Sequence, residues 1–281
     1  MVGRTFDHSV RLAALVLVLA GPAVAQDAPA AAWPTLFPRG VLNAEGNFLK
    51  GSEPNRPFDV TLSGALDLVD VREVHVPFGF VVAAAFDDRR YPQHVDYSYE
   101  FAPAVRVGPV EIAALLFHTS RHLHDVSSSG PVSWNRLGLR LAHAAVGGRW
   151  HLRWNVDGTT YLAWPGHYVD YRWDVSGTGR ATYGASNRTA PYVDGTWEVL
   201  RCQPQVAGRK WAVGARVEAG LALAFGTGRV DAFVAWDRRI DPTPYSRQTR
   251  AFFAFGARLR IGRGGDLMLP PVAVSGGTPL R

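Results

Sequence analysis

The sequence predicts an all-β protein, a closed antiparallel transmembrane β-barrel of about twelve strands, with ten to fourteen compatible with its spacing. Three observations carry that expectation. The first is alternation: from Arg149 to Asp157 every even position is apolar and every odd position is charged or polar. Period-2 alternation makes a strand whose two faces meet different solvents. The pattern returns at Trp211, Val213, Ala215, Val217, Ala219, Leu221, Leu223 and Phe225, with Arg216 and Glu218 between them. It returns again at Phe253, Phe255, Leu259 and Ile261, with Arg258 and Arg260 between. The second is length, since most alternating segments exceed the roughly 5–6 residues of a soluble strand and reach the about 9–11 needed for a tilted crossing. The third is the parity of the connections, because in such barrels short and long connections take turns.

Taken in order, the chain opens on a secretory signal. Arg4 and Arg11 give a basic start, Leu12 to Ala20 an apolar run, and Ala23-Val24-Ala25 a small-residue cleavage site. Residues 1–25 are therefore read as a cleaved signal peptide directing export to the bacterial outer membrane. The run is too short for an anchor helix, which needs about 20 apolar residues. Residues 26–40, rich in Ala and Pro, are read as a flexible lead-in, and 41–262 as the barrel domain. Its strands are expected near 41–50, 58–70, 77–87, 94–106, 109–119, 133–146, 149–163, 167–176, 193–203, 209–224, 229–238 and 248–262.

If the first strand runs outward from the periplasm, the even-numbered connections are the short periplasmic turns. Val107-Gly108, Gly147-Gly148 and Gly226-Thr227-Gly228 fit, as do the long external segments Ser120 to Val132 and Arg239 to Arg247. One connection breaks the rule: Gly177 to Tyr192 is long, lies on the periplasmic side and contains a strand-like Arg180 to Tyr183. Residues 263–281, with Pro270, Pro271, Gly276 and Gly277, are read as a flexible C-terminal tail.

Composition narrows the partners. The near-zero mean hydropathy fits a barrel, where only alternate residues meet lipid. Cys202 is the single cysteine, so no internal disulfide staples the fold. Lys50 and Lys210 are the only lysines among the cations. Arginine's planar fork suits phosphate, hence outer-membrane lipid or lipopolysaccharide as a partner, though a GC-rich genome's codon bias gives the same composition. The barrel-assembly machinery is a second implied partner. Basic residues alternate along strands rather than forming a stripe, which argues against nucleic acid. No sequence feature asks for a cofactor, and no hydrolase elbow, phosphate loop or dinucleotide fingerprint is present.

Aromatic residues gather toward strand ends, notably Trp134, Trp150, Tyr161, Trp164, Tyr168, Tyr171, Trp173, Trp197, Trp211 and Trp236, as in an interfacial belt. Glu45, Arg136, Arg140, Arg153, Arg172, Arg216, Glu218, Arg258 and Arg260 are expected to point inward, plugging the lumen by pairing or lining a narrow anion-leaning pore. Asp87-Asp88-Arg89-Arg90 reads as a solvated external turn.

The one dense constellation of chemistry is His118-Thr119-Ser120-Arg121-His122-Leu123-His124-Asp125. Residues i, i+2 and i+4 of a strand share a face, so His118, Ser120 and His122 project together while the strand lasts. A serine flanked by imidazoles is what an activated nucleophile requires, and Asp125 could hold a histidine in one tautomer. His122, His124 and Arg121 are candidate binding groups. His118, His122, His124 and Asp125 are also metal-ligand types, but their spacing mixes strand faces. Loop polarity with no chemistry is a third reading.

The H-x-S on a strand resembles the catalytic pair of the lipid A 3-O-deacylase barrels, which cleave an ester-linked acyl chain from lipopolysaccharide. The resemblance implies His118 as base and Ser120 as nucleophile. That family's third residue is a downstream Glu; no Glu lies between Glu111 and Glu198, leaving Asp125 to substitute. The longer stretch resembles an uncharacterised bacterial outer-membrane family bearing H-x-S-S-H-L-G-D-E, matched at His118, Ser120, His122, Leu123 and Asp125. Arg121, His124 and Val126 depart from it, while W-N-R-L-G-L-R-L, starting at Trp134, falls where that family places its next strand. This second resemblance implies a barrel with a lipid-associated envelope role.

Two functions follow: a non-enzymatic barrel, structural or a narrow channel, or a lipid-ester hydrolase using His118 and Ser120 at the external rim. A soluble secreted β-sandwich is a third. The first two part at the rim. An enzyme needs an imidazole nitrogen within about 2.6–3.2 Å of the Ser120 hydroxyl on a surface that admits an acyl chain; a structural motif turns those groups into the lumen. Parity leaves the choice open, since Val110, Ile112, Ala114 and Leu116 match His118, yet Leu115 and Phe117 are apolar too.

Overall fold

The computed structural model describes residues 34–51, 57–86, 92–123, 132–162, 171–184, 188–203, 208–241 and 249–263. The signal peptide, the external turn at 87–90, His124, Asp125, Trp164, Tyr168 and the tail from 264 lie outside the described residues. The strands are β1 (Thr35–Leu36), β2 (Gly40–Gly51), β3 (Phe58–Val71), β4 (Val74–Phe86), β5 (Pro92–Phe101), β6 (Ala104–Val107), β7 (Val110–Leu123), β8 (Val132–Gly147), β9 (Trp150–Leu162), β10 (Tyr171–Tyr183), β11 (Thr189–Cys202), β12 (Trp211–Phe225), β13 (Gly228–Ile240) and β14 (Thr249–Arg263). Twelve of them, all but β1 and β6, form one closed antiparallel barrel; pairing of β3 with β4 and of β14 with β2 completes the ring.

Alternation produces the wall. On β9, Trp150, Leu152, Trp154 and Val156 are exposed on the outer surface while Asn155 and Asp157 are buried in the lumen. On β12 and β14, Val213, Val217, Leu221, Phe253, Phe255 and Leu259 face out in the same way. The result is a barrel with an apolar exterior and a charged interior, the outer-membrane arrangement.

Both described chain ends, the turns at 72–73, 108–109, 148–149 and 226–227, and the facing ends of β10 and β11 lie at one end, here the turn end. The longer connections lie at the other, the loop end. The long connection that broke the parity rule does not exist: β10 continues through Gly177, Gly179 and Arg180 to Tyr183, and β11 starts at Thr189. Glycines had masked the strand, since no side chain at 177 or 179 carries the alternation. The segment expected as one strand at 94–106 is β5 and β6, parted at Ala102-Pro103. Proline lacks the N–H, but Ala102 N–H donates to Pro77 O and Ala114 N–H to Pro103 O, so the ladder continues across the gap. Within the lead-in, Thr35 and Leu36 pair with Asp70 and Val69 of β3.

Ion pairs occupy the lumen. Arg140 reaches both Glu100 and Asp157, with Nη1 to Glu100 Oε1 at 2.7 Å and Nη2 to Asp157 Oδ2 at 2.7 Å. Arg136 pairs with Asp174 at 3.1 Å, and Arg258 with Glu45 at 2.6 Å and Glu218 at 2.9 Å. At the loop end Arg121 grips Asp96 through Nε and Nη2, and Arg209 pairs with Asp241, which also accepts the Tyr171 hydroxyl. Two expectations are corrected. Arg172 is exposed, displaced by a register shift between Tyr171 and Trp173. Trp134, Tyr161 and Tyr171 belong to no outer belt: Trp134 has the strand parity of Arg136 and is 2% exposed inside the barrel, Tyr171 is buried with its hydroxyl on Asp241, and Tyr161 shares the inward parity of Asp157 and packs edge-on against Tyr171.

Candidate functional site

Strand β7 runs to Leu123, so Ser120 lies within the wall and not in the connection that follows. Its parity is settled by its neighbours. Leu115, Phe117, Thr119 and Arg121 are 2%, 3%, 1% and 3% exposed, and they form the inner face. Phe117 is apolar yet inward because the Arg136 guanidinium lies 4.1 Å over its ring. Ile112 and Leu116 face out, and His118, Ser120 and His122 stand on the same outer face.

Cross-strand register builds a patch around them. Tyr99 of β5, His118 of β7 and Asn135 of β8 lie in one row, and Tyr97, Ser120 and Ser133 in the next. The Ser120 hydroxyl lies 3.1 Å from His122 Nε2. His118 Nδ1 lies 2.8 Å from Asn135 Oδ1, so the ring donates there and keeps Nε2 as the free acceptor. Tyr99 stacks on His118 with centroids 6.4 Å apart, and on Phe78 at 6.3 Å; Tyr97 meets His122 edge-on at 5.3 Å. The two imidazoles therefore stand on an aromatic shelf facing away from the lumen.

Three of the predicted site residues, His118, Ser120 and His122, come together. Arg121 does not join them: it faces the lumen on Asp96. His124 and Asp125 lie outside the described residues, and the partner expected of Asp125 is supplied to His118 by Asn135. Asn135 escaped the sequence reading because only the β7–β8 register brings it opposite His118. Its one trace was its place in the W-N-R-L-G run. Among the described residues no three His, Cys, Asp or Glu side chains are grouped to hold a metal ion.

With ten residues at about 3.3 Å and a tilt near 40°, Ser120 stands about 25 Å above Val110 along the axis. An apolar band in such barrels is about 25 Å tall. Ser120 therefore stands about one such band height from Val110 at the turn end of β7.

No protein-family model and no curated protein sequence matches the chain. Solved structures match it in fold, and all three that follow are outer-membrane barrels. An outer membrane channel from Pseudomonas putida F1 superposes with a TM-score of 0.54 at 9% identity, covering 84% of this chain and 100% of that one. Outer membrane phospholipase A from Escherichia coli gives 0.47 at 11% identity, covering 81% and 93%. The NanC porin gives 0.46 at 10% identity, covering 77% and 98%. At these identities the likeness to the channel is one of fold, a closed antiparallel β-barrel.

Proposed function

We propose that this protein is an outer-membrane hydrolase of acyl esters in envelope lipid, phospholipid or lipopolysaccharide, working at the external rim of the barrel. The observation that carries the reading is a serine beside an oriented imidazole on the lipid-facing surface. Ser120 is the nucleophile; His118, held by Asn135, is the base; His122 is the hydroxyl's resting partner. His118 and His122 flank Ser120 on one face at roughly 7 Å along the strand, so rotation about the serine side chain exchanges one imidazole for the other. Catalytic hydrogen bonds commonly tighten only when substrate binds.

The Ser120 oxygen attacks the ester carbonyl carbon and its proton passes to His118 Nε2. The imidazolium returns that proton to the departing alcohol oxygen, leaving an acyl-serine. Water, deprotonated by the same imidazole, then releases the fatty acid and restores the hydroxyl. The reading carries with it export by the signal peptide, insertion by the barrel-assembly machinery and a loop end that faces outside the cell.

The test is acyl release from phospholipid and lipopolysaccharide in mixed micelles, paired with mass spectrometry of envelope lipid from cells with and without the gene. Ser120→Ala and His118→Ala should each abolish turnover, with the double variant losing little more. Asn135→Ala should cost about 10²–10³-fold and His122→Ala less than either. No release by the intact protein from either lipid overturns the proposal.

A structural or narrow-channel role is the second reading, and the paired lumen supports it. On that reading Ser120→Ala changes nothing, and planar-bilayer conductance depends on the lumenal arginines alone.

A further inference from the structure

Three places in the ladder set arginine directly opposite arginine: Arg239 of β13 faces Arg250 of β14 toward the loop end, where Arg239 is held by Asp59 and Asp237, and the other two lie toward the turn end. Arg153 of β9 faces Arg180 of β10, and Arg229 of β13 faces Arg260 of β14. All four share the inward parity of buried neighbours on their own strands: Asn155, Thr182, Asp231 and Ala254. Like charges directly opposite one another destabilise a sheet. Higher in the lumen Arg140 meets Glu100 and Asp157, and Arg136 meets Asp174. At the turn end Arg153, Arg180 and Arg229 have Asp231 and Asp194 as their nearby carboxylates, and Arg260 stands beside them.

Asp231 lies 2.8 Å from Arg180 Nη1, 2.9 Å from Arg229 Nε and 3.6 Å from Arg258 Nη1, so one carboxylate serves three guanidinium groups. Asp194 lies 3.7 Å from Arg180 and within the field of Arg153. Arg260 has a neutral partner, its Nε donating to Asn43 Oδ1 at 2.9 Å, while Arg153, Arg229 and Arg180 act on it across the lumen. Arg180 Nη2 is buried with no hydrogen-bond partner among the described residues. Arg258 and Arg216 answer Glu45 and Glu218, so Arg153, Arg180, Arg229 and Arg260 against Asp194 and Asp231 leave a surplus of two positive charges beside an unused donor.

We propose that the turn end of the lumen binds a dianionic oxyanion of the phosphate type between the Arg153–Arg180 and Arg229–Arg260 pairs. Its two charges match the surplus, and its oxygens accept from guanidinium forks in parallel, a geometry a spherical halide lacks. Arg229 and Asp194, 26% and 25% exposed, leave the site open to solvent at the turn end. The site is independent of the chemistry at the rim.

The probe is inorganic phosphate added to the full-length protein in a phosphate-free non-ionic detergent, with chloride at equal ionic strength as reference and glycerol 3-phosphate as a second arm. Phosphate at about a hundred times its Kd should raise the midpoint of heat-modifiable gel migration by about 5 °C. A response to phosphate alone defines a site for the free ion; a response to both admits phosphate monoesters. Arg260→Gln should raise the midpoint without phosphate, by relieving repulsion, and should remove most of the phosphate response. Arg229→Gln serves where Arg260→Gln fails to fold, and Arg188→Gln, exposed immediately before β11, should keep the full response. A phosphate effect no larger than that of chloride, or one undiminished in the Arg260→Gln and Arg229→Gln variants, overturns the proposal.

Discussion

Arg140 and Asn135 share one strand and show what a single residue decides on each face of this wall. Arg140 is 4% exposed and bound to two carboxylates from different strands, Glu100 and Asp157. Arg140→Met should cost about 3–5 kcal/mol of stability, because it leaves two buried carboxylates without their cation. The shift in urea midpoint of the barrel in detergent measures it. Adding Glu100→Gln and Asp157→Asn should recover much of the loss, since removing charge from both sides of a buried pair is far milder than orphaning one. At this scale the sequence was partly legible. His118, Ser120 and His122 announced a shared face by spacing alone, and Arg140 announced the lumen by alternation. Neither Asn135 nor the inward turn of Leu115 and Phe117 could be read, because both depend on which residue of β8 lies opposite which residue of β7.

Strand length and turn position were legible wherever side chains alternate and failed where glycine interrupts them. Gly177 and Gly179 hid the second half of β10, and a connection was expected in its place. Glycine also supplies an element-scale test on the β8–β9 pair that flanks the candidate site. A Cβ on Gly138 would collide with Gly158 O and lie 2.8 Å from Thr159 Cα, backbone atoms that cannot move aside cheaply. A Cβ on Gly158 meets nothing within 4 Å. Gly138→Ala should therefore destabilise the barrel by about 1–3 kcal/mol through overpacking. Gly158→Ala should stabilise it by up to about 1 kcal/mol, because glycine in a strand costs backbone entropy. Denaturant midpoints that move in the same direction for both variants would contradict this account of the local packing. Gly158 leaves a notch on the lipid-facing surface, so bulkier substitutions there report on whether an acyl chain runs along β9 from the site.

Closure of the whole molecule ties the two proposed sites to opposite ends. Each of the twelve barrel strands hydrogen-bonds two barrel neighbours, so the barrel presents no open edge, and the even count returns both described chain ends to the turn end. The rim patch stands in the loop-end half of β7; the opposed arginine pairs stand near the turn end of β9, β10, β13 and β14. If export by the signal peptide leaves the turn end in the periplasm, the serine meets the outer leaflet and the arginines meet periplasmic solutes. An epitope inserted near Ser128, in the connection after β7, should then bind antibody on intact cells. One inserted at Gly148, in the short β8–β9 turn, should bind only after the outer membrane is permeabilised. Labelling in the reverse order would place Ser120 on the inner-leaflet side and the arginine cluster at the cell surface, removing lipopolysaccharide as a substrate. It would leave the phosphate response in detergent unchanged, because that response depends on the arginine pairs and not on which way the barrel points.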